Sequence, residues 1–150
     1  MPVLINQPQY LSDFVRLNED WIAHYFRIEE ADRELARNPA RIIADGGYIF
    51  ILLEEAQVVG TCALFKESDD VFQLARMAVH PAFQGKGYGD ALVEAAFAKL
   101  CEIKARRVYL LSNTILAPAI ALYRKHGFSV FRKGAHPVYA RCNIVMEKTL

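Results

Sequence analysis

Between positions 84 and 89 the chain reads Gln84-Gly85-Lys86-Gly87-Tyr88-Gly89, three alternating glycines at the junction of two different periodicities. Upstream, Leu74 to Val79 is an apolar run of strand type. Downstream, Asp90 to Ala105 carries Leu92, Val93, Ala96, Phe97 and Leu100 on one stripe, the pattern of a helix packed on a sheet. A strand, a glycine turn and a helix in that order open the helix N-terminus beside the end of the strand. Glycine lets backbone approach a ligand closely, and the first helical N–H groups, unpaired and backed by the helix dipole, favour an anion. The expected guest is a phosphate or pyrophosphate held mainly by backbone.

Two familiar nucleotide loops fit poorly. A P-loop needs Lys-Ser/Thr after its last glycine, where this chain has Asp90, and the dinucleotide fingerprint needs a glycine at position 92, which is Leu92. A tight turn without a ligand is the structural alternative.

With 150 residues, 53% of them hydrophobic, the chain is expected to form one domain that buries its core without covalent staples. Lys and Arg number 18 against 17 Asp and Glu, a net charge of +1, so no global field draws it to nucleic acid or a membrane. Any anion site must be local. Cys62, Cys101 and Cys142 are odd in number and widely spaced, as free thiols in a reducing compartment would be. No basic start with an apolar stretch behind it and no apolar run of roughly 18 residues is present, which predicts a cytoplasmic location. His24, His80, His126 and His136 show no paired metal spacing, and no metal is expected.

Along the chain, Tyr10 to Phe26 has helical spacing with Ser12 or Asp13 as N-cap, and Glu29 to Asn38 reads as a short helix ending before Pro39. Pro39 to Asp45 could add another turn or two. Tyr48 to Glu54 and Val58 to Lys66 form a predicted hairpin about Glu55-Ala56-Gln57, and Val71 to Val79 adds a third strand. After the glycine loop and its helix come a strand at Arg107 to Leu111, a helix at Ala117 to His126 and strands at Phe128 to Phe131 and Tyr139 to Glu147. Gly127 stands where a helix C-terminus favours a left-handed residue.

Gln84-x-x-Gly87-x-Gly89 and Leu122-Tyr123-Arg124-Lys125-His126-Gly127-Phe128, each on its expected element, resemble the two motifs of the GNAT superfamily of N-acetyltransferases. The motifs and the strands around them cover residues 71 to 131; beyond that the agreement is one of pattern. The resemblance implies an α+β, three-layer fold, a mixed and mostly antiparallel sheet of six to seven strands flanked by helices, splayed between its fourth and fifth strands. Acetyl-CoA would lie in the gap as cosubstrate. Gln84, Gly85, Lys86, Gly87, Tyr88, Gly89 and Asp90 would hold its pyrophosphate, while Met77, Ala78 and Val79 would offer backbone to the pantetheine, with Asn113 assisting.

By the same resemblance Tyr123 would protonate the departing CoA thiolate, a phenol being reasonably matched to a thiol. Trp21, Tyr25, Glu29, Gln73 and Tyr139 fall on segments that line the acceptor side. Some protein-acetylating relatives carry a glutamate base at the position of Gln73, and an amide cannot accept that proton. Glu29, Glu67 or water would then substitute. No cysteine lies in the loop or beside Tyr123 in sequence, so no acyl-cysteine step is expected. The function implied is acetyl transfer from acetyl-CoA to a primary amine, of a small molecule or a peptide, by direct attack in a ternary complex. A catalytically weak acyl-CoA sensor is the alternative. A homodimer is allowed; nucleic acid and membrane are not expected as partners.

Overall fold

A computed structural model describes residues 3–150. Its elements run β1 (Val3–Ile5), α1 (Leu11–Tyr25), α2 (Glu30–Arg37), α3 (Ala40–Ala44), β2 (Tyr48–Glu54), β3 (Gln57–Lys66), β4 (Val71–Val79), α4 (Tyr88–Glu102), β5 (Arg107–Ser112), α5 (Ala117–Lys125), β6 (Ser129–Lys133) and β7 (Ile144–Thr149). The seven strands form one sheet in the order β1-β2-β3-β4-β5-β7-β6, antiparallel throughout except for the parallel pair β4 and β5.

Helices cover both faces, which is why the central strands are almost continuously apolar. In β2, Phe50 and Leu52 face α4 and pack with Leu92, Val93 and Leu100, while Ile49 and Ile51 face α1 and pack with Phe14. α1 reaches the middle of the sheet through a buried polar contact: Asn18 donates to Phe14 O at 3.1 Å and to Thr61 Oγ1 at 3.3 Å.

The parallel register joins Val71–Leu74 to Arg107–Leu110 and stops there, although β4 runs on to Val79. A bulge explains the parting. Thr61 pairs with Ala78 but Ala63 with Ala75, so Arg76 and Met77 together stand opposite Cys62. Arg76 takes φ +58°, a left-handed value unusual outside glycine, and bulges of this kind bend and twist the strand that carries them.

Several boundaries differ from the sequence reading. β1 went unrecognised; three residues are too few for a periodicity to register. Neither Ser12 nor Asp13 caps α1, because a 3-10 turn at Pro8–Tyr10 runs straight into the helix. The hairpin turn has two residues, Glu55 and Ala56, both at positive φ, and Gln57 already pairs with Glu54. Residues 139–143 form a loop, with Cys142 N–H donating to Tyr139 O at 3.1 Å, and the last strand begins only at Ile144.

That loop is tied down by charge. Asp32, 3% exposed, accepts from Arg76 Nη1 at 2.5 Å, from Arg141 Nη1 and Nη2 at 2.7 Å each, and from the Glu29 N–H at 2.8 Å. Glu29 in turn accepts from Arg141 Nη1 at 3.1 Å and from the Ala140 N–H at 2.9 Å. The cluster clamps the start of α2, the bulge of β4 and the loop before β7 onto one carboxylate. Burial would raise the Asp32 pKa; the hydrogen bonds from Arg141, the Glu29 backbone and Arg76 outweigh it and bring the group down to about 2.

Asp32→Asn should therefore destabilise the fold by about 3–5 kcal/mol, since both guanidiniums lose their charged acceptor. A folded-state pKa below the usual carboxylate value means that the contribution is complete above about pH 4 and is lost as pH falls toward about 2. Urea unfolding across that range should show the gap between wild type and variant closing with acid; a constant gap would mean that Asp32 does not carry the effect.

Candidate active site

Where β4 and β5 part, a cleft of about 560 Å³ opens through the molecule. Its walls bring together Trp21, Tyr25, Gln73, Met77, Val79 and Tyr139 with Gln84, Gly85, Gly87, Tyr88, Gly89 and Asp90 of the glycine loop and with Asn113 and Tyr123. Segments separated by more than a hundred residues of sequence thus share one surface. Three candidates are not on it. Ala78 is buried, Lys86 lies against the Phe83 ring at 5.1 Å, and Glu29 is held in the ionic cluster behind the wall.

At one end of the cleft the glycine loop leads into α4. Gly85 and Gly87 both sit at φ +80°, and a Cβ built on either would meet nothing within 4 Å, so their faces are open toward a ligand. Gly87 occupies the N-cap and no side chain caps the helix; the first intrahelical bond is Ala91 N–H to Gly87 O at 3.1 Å. The N–H groups of Tyr88, Gly89 and Asp90 are left without an intrahelical acceptor, a set of donors that suits an anion. Gly89 has another role. A Cβ there would come within 3.0 Å of Leu122 Cδ2, so glycine lets α5 pack close to the loop.

Two side chains lock this end. Tyr88 donates its hydroxyl to Glu54 Oε2 at 2.5 Å, tying the loop to the β2–β3 hairpin. Asp90 Oδ1 lies 2.9 Å from Lys125 Nζ and 2.7 Å from His126 Nε2, joining the start of α4 to the end of α5. Hydrogen bonds from Lys125 and His126 hold the Asp90 carboxyl below its ordinary range, and the Lys125 ammonium offsets the carboxylate beside the helix N-terminus.

Tyr123, on α5, is 7% exposed, with its ring edge-on to Phe128 at 5.8 Å. Burial, with Cys62 nearby, pushes the phenol well above its ordinary range, so it stays protonated at neutral pH. Among the described residues no hydrogen bond engages its hydroxyl, yet no side-chain oxygen is both sealed from solvent and unpartnered. The oxygen is therefore not sealed from solvent, and Tyr123 lines the cleft. Asn113 also lines it, but its carboxamide donates to Arg141 O at 2.7 Å and accepts from the Ile115 N–H at 3.0 Å, bracing the loop before α5.

The other end is aromatic and cationic. Trp21 stands 5.2 Å from Tyr25 and 6.2 Å from Phe26, and Tyr139 accepts from Arg76 Nη2 at 2.9 Å. Gln73 reaches the cleft from β4, with its Oε1 3.4 Å from the Tyr109 hydroxyl. That hydroxyl also donates to Glu67, which lies outside the cleft wall in a separate depression over β5 and β6. Among the described residues no group of three His, Cys, Asp or Glu could hold a metal, and no helix is long and apolar enough to cross a membrane.

Arg76, Arg141, Asp32, Glu54 and Cys142 were not among the site residues expected from sequence, although all but Asp32 and Glu54 line the cleft. The Glu29–Asp32 spacing carried a local signal, that of a capping box, which the structure forms. Nothing in sequence links Asp32 to Arg141, 109 positions away.

Residues 45–130 match the family described as the acetyltransferase (GNAT) domain. A 93-residue segment, 62% of this chain, is 31% identical to the mycothiol acetyltransferase of Corynebacterium efficiens and spans about a third of that protein's length, 31%. Over 99% of both chains the fold superposes on a GNAT-family acetyltransferase of Staphylococcus aureus Mu50 with a TM-score of 0.87 at 17% identity. It also superposes on YncA of Salmonella typhimurium, a putative acetyltransferase solved with acetyl-CoA, with a TM-score of 0.78 at 19% identity over 100% of this chain and 94% of the other. The match over more than half of the sequence, with the parted strands and the glycine-capped helix on the page, places this chain in the GNAT family of acetyltransferases.

Proposed function

We propose that this protein transfers an acetyl group from acetyl-CoA to a primary amine, by direct attack with both substrates bound. The observation that carries the reading is the cleft itself, in which an uncapped helix N-terminus, unpaired strand backbone and a protonated tyrosine share one surface. The donors fit the cosubstrate. N–H groups of Tyr88, Gly89 and Asp90, with the side chain of Gln84, match a pyrophosphate, and the backbone from Met77 to Val79, released from β5, matches the amides of pantetheine.

Acetyl-CoA supplies the activated acyl group as a thioester with a thiolate leaving group. Over the reaction the amine gives up one proton in becoming an amide, and the sulfur gains one. Tyr123 serves the sulfur side. Because burial holds its phenol above a thiol's pKa near 8.5, outright proton transfer from it is uphill, and its main contribution is a hydrogen bond that strengthens as charge grows on sulfur. The proton the amine releases balances the one the sulfur takes up, delivered through water.

On the nitrogen side no carboxylate serves as base. Gln73 holds the position on β4, Glu29 is committed to Arg141 and Ala140, and Glu67 lies outside the cleft. The amine must arrive neutral or lose its proton to water.

Acetyl-CoA at a hundred times its Kd should stabilise the protein by about 2.7 kcal/mol, read as a rise in Tm. Gly87→Val should abolish the rise, because a side chain at φ +80° distorts the loop and stands over the helix N-terminus. An unchanged rise in that variant would remove the loop from the site.

For Tyr123→Phe, kcat should fall by about ten- to a thousandfold while the KM for acetyl-CoA changes little, as for a group used mainly in the transition state. Wild-type kcat in this variant would show that water serves the thiolate instead.

With no base in the cleft, kcat/KM should climb with pH toward the acceptor's own pKa, and Gln73→Glu should flatten the climb for strongly basic acceptors. A wild-type profile already level near pH 7 with a lysine-like acceptor would show that another group takes the proton.

A further inference from the structure

The charges on the acceptor end of the cleft are not evenly placed. Arg76 and Arg141 line it, whereas the carboxylates that pair with them, Asp32 and Glu29, stand behind and do not. Among the described residues the one carboxylate on the cleft surface is Asp90, at the pyrophosphate end and already matched by Lys125 and His126. A wall of this kind is neutral in total but polar in direction: guanidinium toward the substrate, carboxylate toward the protein.

The guanidiniums also retain donors. Each has five N–H groups. Arg76 commits two bonds, to Asp32 and Tyr139, and Arg141 three, to Glu29 and twice to Asp32. Neither Arg76 Nε nor Arg141 Nε is among these bonds, and because among the described residues no buried side-chain nitrogen is left without a partner, both Nε–H groups reach accessible surface on residues that line the cleft. Asp32 fixes the two forks in place, so little rotamer entropy is lost when an anion is met. Tyr139 stands between them, its ring 5.8 Å from Arg76 Cζ and 4.7 Å from Arg141 Cζ. Trp21, Tyr25 and Phe26 add an aromatic surface to the same cleft.

On the reading that the cleft acetylates amines, we infer that its acceptor is a small amine bearing an anionic group, an amino acid or similar amine-carboxylate with an apolar or aromatic side chain. Arg76 and Arg141 take the carboxylate, Trp21 and Tyr25 take the side chain, and the amine is left facing the thioester. Polycations are disfavoured, because nothing on this wall offers a carboxylate to a second ammonium and two guanidiniums repel it.

The test measures kcat/KM for L-phenylalanine, L-phenylalaninamide, phenethylamine and spermidine with acetyl-CoA. Phenylalaninamide is the control for basicity. Its amine is the less basic, so in a cleft without a base it would be the faster substrate unless the carboxylate is recognised. The expected result is phenylalanine ahead of both analogues that lack the carboxylate by about tenfold or more, the range of a charge-assisted hydrogen bond, with spermidine slowest. Arg141→Met should raise KM for phenylalanine by more than it raises KM for phenylalaninamide, so that the preference for the acid shrinks. Should that variant not fold, the wild-type ranking decides alone. Equal rates for acid and amide, or spermidine as the best acceptor, would overturn the assignment. Turnover of none of the four while acetyl-CoA still raises Tm would overturn it and leave the cosubstrate site standing; no rise in Tm would sink the acetyl-transfer reading as well.

Discussion

The parting of two strands is the constraint on which the site depends. β4 and β5 begin as hydrogen-bonded parallel neighbours and separate after Leu74 and Leu110, leaving main-chain donors and acceptors without a strand partner. Unpaired backbone inside a protein is costly unless something else satisfies it, and here a cleft wide enough for a ligand lies alongside. The bend originates in the bulge at Arg76 and Met77, where β4 has one residue more than β3 can pair. A regular ladder would close the gap.

Other features keep the gap open and give it two chemically distinct ends. Gly89 allows α5 to approach the loop, and the Asp90 contacts with Lys125 and His126 hold α4 and α5 together. Asn18, by way of Thr61, ties α1 to the sheet beside the bulge, and Thr61 Oγ1 donates to Arg76 O at 3.5 Å. At the far end Asp32 gathers Arg76 and Arg141. Arg76 thus has two roles, supplying both the irregular backbone at the bulge and a guanidinium on the cleft wall.

Much of the fold was legible in sequence because its signals are local. The glycine loop, the stripe from Leu92 to Leu100, and Gly127 after α5 each depend on residues a few positions apart, and the elements they mark stand close to where they were expected. What was not legible depends on distance or exception. Arg76 carries no glycine to announce its positive φ, and the Asp32–Arg141 pairing spans 109 positions. Tyr139 to Asn143 has the composition of a strand, yet Arg141 is drawn to Asp32 and Cys142 N–H turns back to Tyr139, so the segment becomes a loop that walls part of the cleft. Glu29 looked like an available base because its commitment to Arg141 and Ala140 is purely tertiary.

The most direct test of the central claim is a backbone amide spectrum by NMR, recorded as CoA is titrated in. The account predicts the largest shifts at the amides of Tyr88, Gly89 and Asp90 and along Met77 to Val79, with the far edge strands β1 and β6 little changed. Saturable shifts confined to another surface, or none at concentrations that bind acyl-CoA enzymes, would contradict it.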